Sequence, residues 1–182
     1  MTGAAGGAPH GAAGQPAVPA VAEILLWLAE RRQTLAVAES LTGGLLAATI
    51  VDVPGASEVF RGGVVVYATD LKGTLAAVPP DLLAGRGPVD PDVAVAMARG
   101  IRERCGADWG LATTGVAGPA APDGVPAGTV HVAVAGPSAP PRVRSLRLSG
   151  DRTAVRRGSV AAALALLAEE LAGGRRSCGS GG

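Results

Sequence analysis

Aromatic side chains are scarce in this chain: two Trp, one Tyr and one Phe make up 2% of its 182 residues. The core must therefore be filled by small aliphatic side chains, and there is little ring surface on which single-stranded nucleic acid could stack its bases. Charge of one sign is missing too. With 16 Lys and Arg against 15 Asp and Glu, the formal charge is +1 at pH 7, which supplies no general attraction to nucleic acid or anionic membrane. Only two cysteines occur: Cys105 on the apolar side of an expected helix and Cys178 in a Gly/Ser stretch, so neither a disulfide framework nor a thiolate metal cluster is indicated. Nor do the two histidines, His10 and His131, form a ligand set, because His10 falls in the Gly/Ala-rich head and His131 reads as a surface or satisfied structural residue of a strand. The late apolar run at 160–168 is too short to span a bilayer and stops at Glu169 and Glu170. The first twenty residues have neither a basic start nor a continuous apolar run, unlike a secretory signal. A cytoplasmic protein is the default expectation.

What the chain does have is Ala, Val and Leu, which dominate a 48% hydrophobic content. That composition suits a twisted sheet with helices packed closely on it, and the length fits one domain with a sizeable core. The expected division is a flexible Ala/Gly/Pro-rich head at 1–18, a domain at 19–172 and a loose tail at 173–182. The organising stretch is 34–50, TLAVAESLTGGLLAATI. Residues 34–38 read as a buried strand and 45–50 as a helix. Between them Glu39, Ser40, Thr42, Gly43 and Gly44 occupy the carboxyl end of the strand, where open α/β sheets place ligands. The glycines permit close backbone approach, and the start of the following helix offers N–H donors to an anion or a developing oxyanion.

Other elements follow from apolar period and punctuation. A helix is expected over 19–31, with Val21, Ile24, Leu25 and Leu28 on one face and Trp27 covering it or marking a subunit contact. A β-branched run at 63–67 reads as a second strand delivering Tyr67, Thr69, Asp70 and Lys72 at its end. Residues 79–86 form a Pro-started turn or short helix. Asp90 or Asp92 then caps a helix reaching Arg104, with Val93, Met97, Ile101 and Cys105 on the core side. Strands are expected at 109–113, 128–135 and 143–148, and a last helix at 151–171 carries Val160, Leu164, Leu167 and Leu171 as its stripe. The loop Thr114-Gly115-Val116-Ala117-Gly118-Pro119 is flexible and polar enough to wrap a ligand, yet it is neither a P-loop nor a dinucleotide fingerprint. Six arginines lie between Arg142 and Arg157, either a solvated basic face or, around Arg152 and Arg156, a reader of a small phosphorylated ligand.

Taken in order, AESLTGG at 38–44, GVVVYATDLK at 63–72, TGVAGP at 114–119, GTV at 128–130 and GDR at 150–152 followed by VR at 155–156 closely resemble the CinA carboxy-terminal domain family. The resemblance covers roughly 19–172. It implies a three-layer α/β/α sandwich, often dimeric, and an activity seen among members: nicotinamide-nucleotide amidase, which deamidates nicotinamide mononucleotide to nicotinate mononucleotide and ammonia. By the same resemblance Ser40 is the nucleophile, Tyr67 and Lys72 are its associates, and Thr114, Gly115 and Arg152 contribute to the substrate site. Glu39, Thr42, Gly43, Gly44, Gly118 and Arg156 complete the candidate substrate-binding set. No cofactor or metal is expected; the partners expected are the small nucleotide substrate and a second copy of the chain. Some relatives carry this domain behind a molybdopterin-binding-like one, and the expectation here is the stand-alone amidase without the associated pyrophosphatase activity.

Residue chemistry agrees with amide hydrolysis. A serine hydroxyl needs activation at neutral pH, and a desolvated Lys72 can accept its proton, with Tyr67 relaying that proton or orienting the attacking oxygen. The tetrahedral oxyanion would find N–H donors near Thr42, Gly43 or Gly44. The chain departs from the family pattern at Leu41 for a frequent Cys, Thr69 for a common Asn, Ala120-Ala121 for a Gly-Gly-like segment, and Val125 near the place of a usual Lys. Two alternatives accompany this reading: a non-catalytic nucleotide-binding or competence/damage-related regulator, and a serine amidase for another carboxamide.

Overall fold

The computed structural model describes residues 21–119 and 124–177, with side chains through 173. The expected head at 1–18, residues 120–123 of the altered loop and the last part of the expected tail lie outside the described residues.

Five strands form one sheet in the order β2-β1-β3-β4-β5. Strand β1 (Leu35–Glu39) pairs in parallel with β2 (Phe60–Val65) on one side and the central strand β3 (Trp109–Gly115) on the other. Beyond β3, β4 (Thr129–Ala135) and β5 (Arg142–Arg147) add antiparallel. Helices α1 (Val21–Glu30), α2 (Leu45–Val51) and α6 (Arg152–Ser177) cover one face, where Ile24, Leu28, Leu46, Ile50, Leu164 and Leu167 pack on Val37, Leu111 and Val132. On the other face lie α3 (Thr69–Ala76), α4 (Pro80–Arg86) and α5 (Pro91–Arg104), with Val93, Met97 and Ile101 against Ala36, Ala38, Ala112 and Ala133. The three-layer α/β/α sandwich is thus the observed architecture. It follows from strict alternation: Val37 points to the bulky face while Ala36 and Ala38 point to the other.

Alanine on that second face lets α5 approach unusually closely. A Cβ placed on Gly110 of β3 would sit 1.9 Å from the Ala98 carbonyl oxygen, and one on Gly100 of α5 would sit 1.9 Å from that of Ala76. Only glycine fits at such contacts. The consequence is that α3, wedged against α5, is fixed relative to the strand ends.

Several elements differ from the sequence expectation. Strand β2 begins at Phe60 and ends at Val65, so Val66 and Tyr67 belong to the connector. Pairing starts at Leu35 with Phe60, and an irregularity before Ala36 lets the strand run through Gly62 and Gly63, which β propensity disfavours. Helix α3 has no side-chain cap and contains Gly73, which left it without a helical signal; packing of Ala76 in the core against α5 holds it. Of the two aspartates expected as caps of α5, Asp90 is the one that serves, accepting the Asp92 N–H at 2.8 Å with Pro91 as first helical residue. Helix α6 continues past Leu171 to Ser177. Among the described residues no helix is long and apolar enough to cross a membrane.

Candidate active site

The parallel strands β2, β1 and β3 end side by side, and their exits converge on a cavity of about 300 Å³. Ser40 enters from β1, Tyr67 from the β2 exit, Thr114 to Gly118 from β3, Lys72 from α3 and Arg152 from the first position of α6. The remaining lining is Leu41, Thr69, Pro88 and Val89.

Ser40 is 9% exposed, and among the described residues its hydroxyl has no hydrogen-bond partner. Among the described residues no fully buried side-chain oxygen or nitrogen lacks a partner, so the unpartnered Ser40 Oγ is open to the cavity. Its own N–H donates to the Thr113 carbonyl at 3.0 Å, fixing the residue across β1 and β3. Lys72, one turn into α3, is 1% exposed, and its side chain points back toward the helix start as helical side chains do. Nζ reaches the Val66 carbonyl at 3.3 Å, and burial lowers its pKa from the ordinary 10.5 to about 8. No carboxylate among the described residues pairs with it to restore the charge. A lysine of this kind carries a substantial neutral fraction near physiological pH and can take a proton.

Arg152 closes the mouth. Nη1 donates to the Gly118 carbonyl at 2.9 Å and Nη2 to the Tyr67 hydroxyl at 2.8 Å, linking the β2 and β3 exits. Tyr67 is 59% exposed, so its ring stands at the entrance rather than in the core. The Thr114 hydroxyl donates to the Pro88 carbonyl at 2.7 Å and holds the 88–89 connector as a wall. At Gly115, a Cβ would meet the Thr129 carbonyl oxygen at 2.4 Å; the residue is small because β4 lies there.

The other expected binding residues have different places. The Glu39 carboxylate is fully buried and accepts the N–H groups of Gly44 at 3.0 Å, Leu46 at 3.0 Å and Ala47 at 2.8 Å. It thereby fills the start of α2, which sequence reading had left open to an anion, and a buried carboxylate needs such donors. Thr42 shares a hydrogen bond with the Thr113 hydroxyl at 2.7 Å, away from the cavity. Gly43 and Gly44 adopt φ of 58° and 92°, as the glycine signal required, but the Gly43 N–H is taken by the Ser40 carbonyl. Arg156 donates to the Leu41 carbonyl at 3.1 Å and the Thr42 carbonyl at 2.6 Å and does not line the cavity. The run of arginines is dispersed as well: Arg142 and Arg144 pair with Glu170 and Glu169, and Arg147 donates to the Thr129 hydroxyl. His131 Nδ1 lies 2.8 Å from the Ser145 hydroxyl. Among the described residues no group of three or more His, Cys, Asp or Glu side chains is arranged to hold a metal.

Pro88 and Val89 went unnoticed in the sequence because neither carries chemistry. The available signal was positional: a proline-bounded connector immediately before an Asp-capped helix.

Fold and strand-end cavity define an α/β protein of the CinA C-terminal domain family, to which the chain belongs: the family pattern matches residues 18–171. A CinA-like protein of Frankia casuarinae is 50% identical over 150 residues, which is 82% of this chain and 34% of that protein. A putative competence-damage inducible protein of Desulforamulus reducens is 46% identical over 140 residues, 77% of this chain and 34% of its own length. The chain thus spans about a third of the curated relatives it matches. Among solved structures, a CinA superfamily protein from Klebsiella pneumoniae superposes with a TM-score of 0.78 at 33% identity, covering 84% of this chain and 98% of that one. One from Escherichia coli gives 0.78 at 31% identity, covering 82% and 87%.

Proposed function

We propose that the chain deamidates nicotinamide mononucleotide to nicotinate mononucleotide and ammonia through a serine acyl-enzyme. The observation that carries this reading is that the unpartnered Ser40 hydroxyl and the desolvated Lys72 amine line one cavity. Neutral Lys72 takes the Ser40 proton as Oγ attacks the carboxamide carbon, and charge collects on the carboxamide oxygen. The C–N bond then breaks while the Lys72 ammonium returns its proton to the departing nitrogen, so ammonia leaves and an ester remains on Ser40. Water attacks that ester, Lys72 takes the water's proton, and Ser40 leaves with it, releasing the acid. Tyr67, whose oxygen already accepts from Arg152, keeps its O–H free to donate to substrate. Its exposed ring suits contact with a pyridinium. At about 300 Å³ the cavity lies at the small end of ligand sites, in keeping with one carboxamide-bearing ring inside and the sugar phosphate at the mouth beside Arg152.

The test is ammonia release by purified protein from the mononucleotide, the riboside and free nicotinamide. The mononucleotide is expected to turn over fastest, and Ser40→Ala to abolish release while the fold persists. Faster turnover of either unphosphorylated compound would reject the nucleotide assignment. The same reading has the protein working as a homodimer, which light scattering on the active preparation measures.

A further inference from the structure

We propose that the cavity is also a carboxylate site through which the acid product restrains the protein: nicotinate mononucleotide sits with its carboxylate between the Lys72 ammonium and the Ser40 hydroxyl and keeps Lys72 protonated. The proposal rests on the serine chemistry above and adds the regulation of that same site.

Among the described residues the lining includes two cationic side chains, Lys72 and Arg152, and no acidic one. Of the three N–H donors on a lysine ammonium, Lys72 spends one, on the Val66 carbonyl at 3.3 Å. The Ser40 hydroxyl is unpartnered as well and opens to the same cavity. A carboxylate accepts two such donors on its two oxygens, whereas a neutral carboxamide brings the ammonium no opposite charge.

Charged groups on the elements around Lys72 are engaged elsewhere. On β1 the Glu39 carboxylate accepts three N–H groups at the start of α2. Asp90 caps α5, and Asp92 pairs with Arg86 of α4. Asp70 of α3 and Asp81 of α4 are exposed, and Arg152 of α6 is tied to Gly118 and Tyr67. Burial is accordingly the cause of the lowered Lys72 pKa, and a counter-ion arrives only with a ligand.

The reaction itself makes that ligand. When Ser40 leaves with the proton of the attacking water, a carboxylic acid stands beside a neutral amine. Such an acid gives up its proton at about pH 4 and Lys72 holds one up to about 8, so the proton passes from the acid oxygen to Nζ. An ammonium and a carboxylate are left together in a buried place, where opposite charges attract most strongly. Lys72 cannot take the next serine proton until the acid departs. Acid that binds from solution reaches the same state, taking up one proton from the solvent wherever Lys72 starts neutral.

Titration calorimetry of nicotinate mononucleotide into the wild type, in buffers of different ionisation enthalpy, counts the protons taken up. Uptake should be about 0.5 at pH 8 and about 0.9 at pH 9, the neutral fraction of Lys72 before binding. In Lys72→Met it should vanish, and if that variant fails to fold, the wild-type proton count decides alone. Ser40→Ala, which does not turn over, allows acid and amide mononucleotides to be compared on one protein, and their shared phosphate cancels. The acid should bind about tenfold or more tightly than the amide at pH 7. That preference should fall about tenfold by pH 9, as the ammonium is lost. Acid binding without proton uptake at pH 9, uptake that persists in Lys72→Met, or equal affinity for acid and amide at pH 7 would overturn the proposal. Acid bound with the expected uptake by a wild type that releases no ammonia would keep the carboxylate site and remove the amidase reading. Ammonia release by a protein that does not bind the acid would do the reverse.

Discussion

Replacing Lys72 by Met removes the amine and leaves a chain of similar length in the same buried slot. Burial lowers Lys72 from the ordinary 10.5 to about 8 at 1% exposure, which corresponds to about 3 kcal/mol of native-state cost when the group is charged. Between pH 8 and 10.5 the unfolded chain holds the proton and the native chain does not. Stability of the wild type therefore rises with pH across that window, and the full cost is present at pH 7. Loss of the contact to the Val66 carbonyl returns about 1 kcal/mol. Lys72→Met is thus expected to be more stable than wild type by about 2 kcal/mol at pH 7, or about 4–8 °C in Tm. The difference should close as the pH approaches 10.5. Ammonia release should be lost in the same variant. Urea unfolding at pH 7 and at pH 10 measures the gap. A Met variant no more stable at pH 7, or a gap that does not narrow with pH, would refute the assignment of Lys72 as an uncompensated buried amine.

Further outcomes follow from the same geometry. The pH profile of kcat/KM for the wild type should rise along a basic limb centred at about 8, as Lys72 becomes neutral, and pH-rate measurement checks it. Glu39→Ala strands three N–H groups at the start of α2 and should cost about 3 kcal/mol or more in urea unfolding. Arg152→Ala should raise KM for the mononucleotide about fivefold or more while leaving the riboside nearly unchanged, the contact being weakened by exposure. Equal losses for both substrates would make its bonds to Tyr67 and Gly118 structural.

The sandwich was legible because β1 reads as a short buried run, Val130, His131 and Val132 alternate in β4, and the helical period is strong in α5. Where the structure departs, tertiary contact decided: Gly62 and Gly63 lie in an edge strand that pairing with β1 holds, and α3 packs Ala76 against α5 despite Gly73. At the site, residue types pointed to the strand ends, but type does not say which polar group faces the cavity. Glu39, Thr42 and Arg156 satisfy the local hydrogen bonding of the turn, whereas Ser40 is left unpaired. That partition depends on where α6 lays its second turn against the 40–43 corner, a contact between residues far apart in the chain. Pro88 and Val89 entered the lining for the same reason, through a bond from Thr114.

The central claim is that Ser40 carries the acyl group of a carboxamide substrate. Rapid quenching during turnover of nicotinamide mononucleotide, followed by intact mass and peptide mapping, tests it most directly. The account predicts a transient adduct equal to substrate less ammonia on the peptide containing Ser40 and absent in Ser40→Ala. Ammonia release at wild-type rate by folded Ser40→Ala, or turnover with the acyl group on another residue, would contradict it.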